Sequence, residues 1–184
     1  LSSIKTFVQL LPRKIEKPAF LEKFQRTVPR ELNRINALVE DLLDLARVPK
    51  YVYQRIHLKA LLEQALDATD AQLQAGHIQC RFEIADDMPL VRADANQLAR
   101  AIHNLIRNAI QAMPEGGTLT VETRAVEDRI CLSVADTGIG MSEELKNQIF
   151  LPFFTTKDVH EGTGLGLAVV HGIITAHGGD IIVD

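Results

Sequence analysis

From Val28 to Ala46 apolar side chains recur at alternating four- and three-residue steps: Val28, Leu32, Ile35, Val39, Leu42 and Ala46. An earlier set, Leu1, Ile4, Val8 and Leu11, keeps the same rhythm. That spacing is the seam of helices packed nearly parallel to one another. Pro12 is expected to end the first helix, Pro18 to lie in the connection, and Pro29 to kink or break the second. Two helices cannot bury a complete seam by themselves. The economical arrangement is a four-helix bundle made by two chains, a homodimer through residues 1–48. The other arrangement is a hairpin packed on its own chain's second domain.

Pro49 and the stretch 51–55 mark the join to that second domain, expected over residues 52–184. Its pattern changes from helical to mixed. Leu58 to about Ala75 reads as one helix, and His77 to Ile84 alternates like a strand. Asp94 fits an N-cap of a helix reaching about Met113, stopped by Pro114-Glu-Gly-Gly. Thr118–Thr123 and Arg129–Ala135 alternate strictly, as two strands of a hairpin do. A short helix is expected over Ser142–Gln148, and a last one from Gly164 to Gly178-Gly179. The sum is an α+β chain: a helical hairpin, then an α/β sandwich with a mixed sheet and helices on one face. Leu1 already stands inside a helical pattern, and Ile181-Ile182-Val183 reads as an unfinished C-terminal strand. The residues are therefore expected to be part of a longer protein.

Bulk properties narrow the class. A formal net charge of −4, with no basic stripe interleaved with aromatics, argues against nucleic acid as a partner. No apolar run approaches the length needed to cross a bilayer, so any membrane contact is expected through segments outside these residues. Cys80 and Cys131 sit in apolar or alternating runs and read as buried free thiols of a reducing, cytoplasmic compartment. The six histidines show no metal-ligand spacing; none is assigned to catalysis, and His177 fits a C-terminal helix-dipole partner.

Three short segments carry the chemistry. In the helix after Asp94, residues Leu98, Ile102, Leu105, Ala109 and Ala112 fall on one arc, expected to face the core. Asn104, Asn108 and Gln111 lie together on its flank, while Arg100, His103 and Arg107 point further away. A neutral amide oxygen suits Mg²⁺, a hard cation that takes oxygen donors and phosphate oxygens. Asp136 is in phase with Ile130, Leu132 and Val134, so it is expected to point into the core layer. A buried carboxylate needs a donor, and the exocyclic amine of adenine would supply one. Gly138 and Gly140 would let the backbone approach a flat ring. In Gly162-Thr-Gly-Leu-Gly166 a glycine-rich loop runs into a helix start, whose free N–H groups and positive dipole end favour phosphate. It is neither a Walker loop nor a dinucleotide fingerprint. The stretch from Met141 to Glu161 has the length of a lid. Within it Lys157 is a candidate cation for a terminal phosphate, Thr155 and Thr156 are hydroxyl donors, and Phe150, Phe153 and Phe154 are expected to anchor the lid.

In this order the segments resemble the ATP-binding domain of two-component sensor histidine kinases. Asn104-Leu-Ile-Arg-Asn108-Ala resembles that family's N box, and Asp136-Thr-Gly-Ile-Gly its G1 box. Phe150-Leu-Pro-Phe-Phe-Thr-Thr-Lys resembles the F box, and Gly162-Thr-Gly-Leu-Gly-Leu the G2 box. The resemblance implies a GHKL (Bergerat) sandwich using ATP and Mg²⁺, with Asn108 as the metal ligand and Asp136 reading adenine. It implies further nucleotide contacts from Asn104, Gln111, Gly138, Ile139 and Gly140. Phosphate contacts would come from Thr156, Lys157, Gly162, Thr163, Gly164, Leu165 and Gly166.

The hairpin resembles the family's dimerisation and phosphoacceptor helices. Leu-Ser-Ser-Ile-Lys-Thr-Phe resembles the residues that follow the phosphorylated histidine. The resemblance therefore puts the acceptor histidine upstream of Leu1 and no catalytic residue within the chain. The implied partner is a response-regulator receiver domain, whose aspartate receives the phosphoryl group. Where gyrase-like and MutL-like relatives carry a water-activating glutamate, this chain has Asn104, which favours transfer to a side chain over hydrolysis. The alternative is a non-catalytic nucleotide-binding module of the same fold, a pseudokinase or an anti-sigma-like protein.

Overall fold

The computed structural model describes residues 2–46, 50–85, 88–156 and 163–184. The chain divides into two compact units, residues 1–48 with 157–163 and residues 49–156 with 164–184.

The first unit is a helical hairpin of α1 (Ser2–Lys14) and α2 (Pro18–Ala46). Pro12 lies inside α1 instead of ending it. Its ring removes one donor, but its fixed φ suits a helix, and Ile15 N–H still closes onto the Leu11 carbonyl at 2.9 Å. Pro18 opens α2 and is not in the connection, because the first helical N–H has no partner to lose. Pro29 leaves α2 unbroken; it forfeits one bond of a 29-residue helix. The two helices are held by phenylalanines: the Phe7 ring centroid lies 5.7 Å from that of Phe20 and 6.0 Å from that of Phe24. The heptad residues Val8, Leu32 and Val39 stay 54%, 48% and 47% exposed. Ile4, Leu11, Val28 and Ile35 of the same seam are half-buried, so the contact within the hairpin covers the seam only in part.

The second unit opens with β1 (Gln54–Ile56), α3 (Leu58–Asp67), α4 (Asp70–Ala75), β2 (Ile78–Ile84), β3 (Val91–Ala93) and α5 (Ala95–Ala112). It continues with β4 (Gly117–Val126), β5 (Arg129–Asp136), α6 (Glu143–Lys146) and α7 (Gly166–Ala176). The expected single helix over 58–75 is two. Thr69, fully buried, donates its hydroxyl to the carbonyls of Ala65 and Leu66 at 3.1 and 3.0 Å, and the chain turns there. β1 and β3 pair antiparallel, Gln54 opposite Ala93; at three residues each they are too short to show alternation.

The larger sheet has the order β2-β4-β5, with β2 parallel to β4 and β4 antiparallel to β5. A two-residue turn joins the hairpin, and Glu127 takes φ 55° in it. Leu58, Leu62 and Leu73 from the first helices, Ile102 and Ile106 from α5, and Leu119 and Val121 from β4 form one buried core. Residues 181–183 join no ladder: Ile181 packs beside α7, whereas Ile182 is 85% exposed. Both cysteines are exposed, against expectation. Cys131 is out of phase with Ile130 and Leu132, and Cys80 lies on an edge strand.

Asp94 holds the start of α5. Its Oδ1 accepts the Gln97 N–H at 3.1 Å and its Oδ2 the Val52 N–H at 2.8 Å. These donors, Val52 first, hold its carboxyl below the ordinary carboxylate range. A carboxylate with a lowered folded pKa stabilises fully above its unfolded value of about 3.9 and loses that effect as pH falls through the folded value. Asp94→Ala is expected to lower stability by about 1–2 kcal/mol at pH 7. In urea titrations the gap from the parent chain should close as pH drops below the carboxylate range.

Candidate functional site

The site is built on α5, which is apolar on two sides. Leu98, Ile102, Ile106 and Ala109 enter the main core. Ala101, with Leu105, meets Val169, Val170 and Ile173 of α7 in a second cluster. Two expectations change. Leu105 faces α7 instead of the main core, and Ile106, absent from the expected arc, is fully buried. Being covered on both sides, α5 also buries Asn104, only 6% exposed; Asn108, one turn on, is half-buried, and Gln111 is exposed.

Arg107 does not point away. Its Nη2 donates to Asn104 Oδ1 at 3.2 Å, as the three-residue helical spacing allows. Its Nε is buried, with no hydrogen-bond partner among the described residues. A Cβ at Gly166, the first residue of α7, would lie 3.4 Å from both Arg107 Nη2 and Asn104 Oδ1. The N-terminus of α7 therefore sits directly against this pair, at ordinary contact distance.

Asp136 ends β5. Its ladder partner Leu119 is fully buried, so the phase was read correctly. The carboxylate itself, however, is exposed, because the strand stops there. Its Oδ1 accepts the Gly138 N–H at 2.9 Å. The following loop docks on the last turn of α5: the Ile139 N–H donates to the Ala112 carbonyl at 3.1 Å. A Cβ on Gly138 would fall 2.3 Å from that oxygen, an impossible approach. Gly140, by contrast, has φ 67° and open space around it, and Ile139 is 82% exposed. Thr137, which carried no expectation, fastens the loop by accepting the Thr118 N–H at 3.0 Å.

Gly164 has φ 68°, and a Cβ there would lie 2.4 Å from the Phe153 carbonyl carbon. Phe153 itself takes φ 67° and is 63% exposed, so it does not anchor the lid. Phe150 does, with its ring 5.2 Å from that of His171. Leu165 is fully buried, Thr156 is exposed and Thr163 is half-buried. Lys157 and Gly162 lie outside the described residues.

Asn104, Gly138 and Gly166 thus come together along α5 between residues 104 and 112, about 12 Å of helix. An exposed carboxylate, a hard amide oxygen at Asn108, close-packed glycine backbone and the start of a helix fit a magnesium-bound nucleotide. Arg107 and Thr137 were missed. For Arg107 the signal was its three-residue spacing from Asn104; for Thr137 there was none.

Residues 93–184 match the family described as histidine kinase-, DNA gyrase B-, and HSP90-like ATPase, and residues 1–50 match the His Kinase A (phospho-acceptor) domain. The chain is 34% identical to sporulation kinase E of Bacillus subtilis (strain 168), covering 100% of this chain and 24% of that protein. It is 34% identical to the sensor histidine kinase ZraS of Escherichia coli (strain K12), covering 98% and 38%. These relatives are therefore much longer than the present chain. Among solved structures, histidine kinase ThkA in complex with response regulator protein TrrA superimposes with a TM-score of 0.81 at 26% identity, covering 97% of this chain and 51% of that one. Acinetobacter baumannii histidine kinase AdeS gives 0.75 at 26% identity, covering 95% and 83%. Full-length ShkA in complex with AMPPNP gives 0.71 at 27% identity, covering 79% and 31%.

The two glycines should respond differently to a methyl group. Gly138→Ala forces backbone against backbone and is expected to destabilise by about 2–3 kcal/mol. Gly140→Ala meets only the cost of a left-handed φ, about 1 kcal/mol. Equal denaturation midpoints for the two variants would refute the docking described.

Proposed function

This chain belongs to the two-component sensor histidine kinases, and on that premise we propose that it binds ATP–Mg²⁺ and transfers the γ-phosphoryl group to a histidine, for relay to a response-regulator aspartate. The observation that carries the reading is the convergence of the asparagine helix, the Asp136–Gly140 loop and the start of α7 on one stretch of α5.

Asp136, an acceptor only, takes the hydrogen bond of the adenine amine, and the side-chain-free backbone at Gly138 lets the ring come close. Asn108 supplies the amide oxygen for Mg²⁺; bound there, the metal neutralises charge on the phosphates. Asn104 and Gln111 line the same edge of α5. Ile139 and Gly140 flank the base. The start of α7, from Gly164 through Leu165 to Gly166, brings backbone N–H groups and a positive dipole end to the phosphates. Phosphate contacts from Thr156, Lys157, Gly162 and Thr163 are part of the same proposal.

In the transfer, the γ-phosphorus–oxygen bond breaks as a phosphorus–nitrogen bond forms on the acceptor imidazole, and ADP leaves. An amide at Asn104 takes no proton from water, which favours the imidazole as nucleophile over hydrolysis. All six histidines of this chain follow residue 50, so none lies on the hairpin helices of these residues.

The hairpin is proposed to dimerise through its heptad seam, supported by the exposure of Val8, Leu32 and Val39. The double variant Leu32→Glu/Val39→Glu is expected to sediment as a monomer where the parent chain sediments as a dimer. A parent chain that is monomeric at tens of micromolar would remove that proposal.

Asp136→Asn and Asn108→Ala are each expected to weaken ATP–Mg²⁺ binding by at least about tenfold in calorimetry, the worth of one charged hydrogen bond. Parent-like affinity in both variants would eliminate the site assignment. With labelled ATP this chain should incorporate no phosphate, and a chain extended to include a phospho-acceptor histidine should. If the extended chain binds nucleotide and stays unlabelled, the protein is a nucleotide sensor and not a kinase.

A further inference from the structure

Helices α5 and α7 pack along their length, and polar contacts mark both ends. At one, Gly166 stands against Asn104 and Arg107. At the other, His177, the C-cap of α7, bonds the residue that caps α5: the Asp94 backbone N–H donates to His177 Nε2 at 3.0 Å. The spacings agree. Asp94 to Asn104 and Gly166 to His177 each span about 15–16 Å of helix. The pair is therefore antiparallel, and α7 is a strut fixed at both ends.

The fastening at His177 is specific. Its Nδ1 lies 2.7 Å from the Ile173 carbonyl oxygen. A carbonyl only accepts and an N–H only donates, so only the neutral ring with its proton on Nδ1 satisfies both neighbours. The residue thus stands at the C-terminal end of α7, as expected, with its Nδ1 on a carbonyl of the last turn. Tyr51 and Tyr53 flank the imidazole edge-on, with centroids at 5.4 and 5.2 Å, and stack on each other at 5.8 Å. The Tyr53 hydroxyl donates to the carbonyl of Ala176, the last residue of α7, at 2.6 Å. Arg92 covers the Tyr53 ring at 5.1 Å, and Val52 is tied to Asp94 by its own N–H. Segment 51–53, the start of the second unit, is thereby joined to the far end of the helix that carries the glycine loop.

We propose that His177 is a positioning residue that sets α7 lengthwise against α5 and so couples nucleotide binding at the glycine loop to the Tyr51–Tyr53 segment. This rests on the nucleotide reading of the site. Coupling is reciprocal: a nucleotide that holds the start of α7 steadies the tyrosine contact, and loosening that contact weakens nucleotide binding.

The chain has two tyrosines and no tryptophan, so its tyrosine emission reports on this contact alone. Titration with Mg–AMPPNP, followed by calorimetry and by tyrosine fluorescence lifetime, is expected to give one common midpoint in the parent chain. His177→Phe keeps a ring beside the tyrosines but removes the acceptor. It should bind about tenfold more weakly and lose the lifetime change, within the usual range of coupled sites. His177→Gln, whose amide oxygen can accept from Asp94, should stay within about threefold of the parent chain. If His177→Phe does not fold, Tyr53→Phe, which removes only the hydroxyl, is expected to weaken binding in the same direction. Nucleotide binding with unchanged lifetimes, or parent-like affinity in the folded variants, overturns the coupling and leaves the nucleotide site standing. Absence of binding by the parent chain overturns both.

Discussion

The site depends on the burial of α5 from two sides. Core residues such as Ile102 and Ile106 commit one face to the sheet, and Ala101 commits another to α7. Each large apolar side chain so buried contributes about 1.5–3 kcal/mol. What remains for polar groups is a narrow edge, and Asn104 is buried along it. A neutral amide tolerates such burial once hydrogen-bonded, and Arg107 provides that bond. Because the amide carries no charge, it does not neutralise the guanidinium, and among the described residues no carboxylate pairs with it beside the start of α7, where the helix dipole is also positive. Both features favour an anion at that point.

The loops around α5 are placed by backbone contact more than by side chains. Gly138 lies on the Ala112 carbonyl and Gly164 on the backbone of Phe153, at separations no Cβ could share. Such contacts leave little room for adjustment, so the Asp136 carboxylate is presented from a fixed position although it faces solvent. Gly140 lacks this constraint. Its neighbourhood is open, and its glycine serves the left-handed turn instead.

Much of this was legible in the sequence. The N-cap at Asp94, the extent of α5, the β4–β5 hairpin and the ladder phase of Asp136 all follow from local rules of spacing and capping. What was misread depends on partners distant in sequence. Burial of Asp136 failed because phase fixes the side of the sheet but not what covers it. The faces of α5 were misassigned because a single arc cannot show that α7 covers a second one. The break at Thr69 comes from one hydroxyl turning back on its own helix. Pro12 and Pro29 were overread, since a proline removes one hydrogen bond and a long helix tolerates that loss.

The parallel pairing of β2 with β4 has a consequence for how the second unit assembles. Ile78 opposes Gly117, with β3 and all of α5 between them in sequence. The β4–β5 pair needs only its two-residue turn, so it can form early and alone. Strand β2 can join only after the intervening chain has closed back, an entropic toll that grows with loop length. The asparagine helix is therefore part of the very crossover that links β2 to β4, so the binding edge and the parallel pairing depend on one segment of chain.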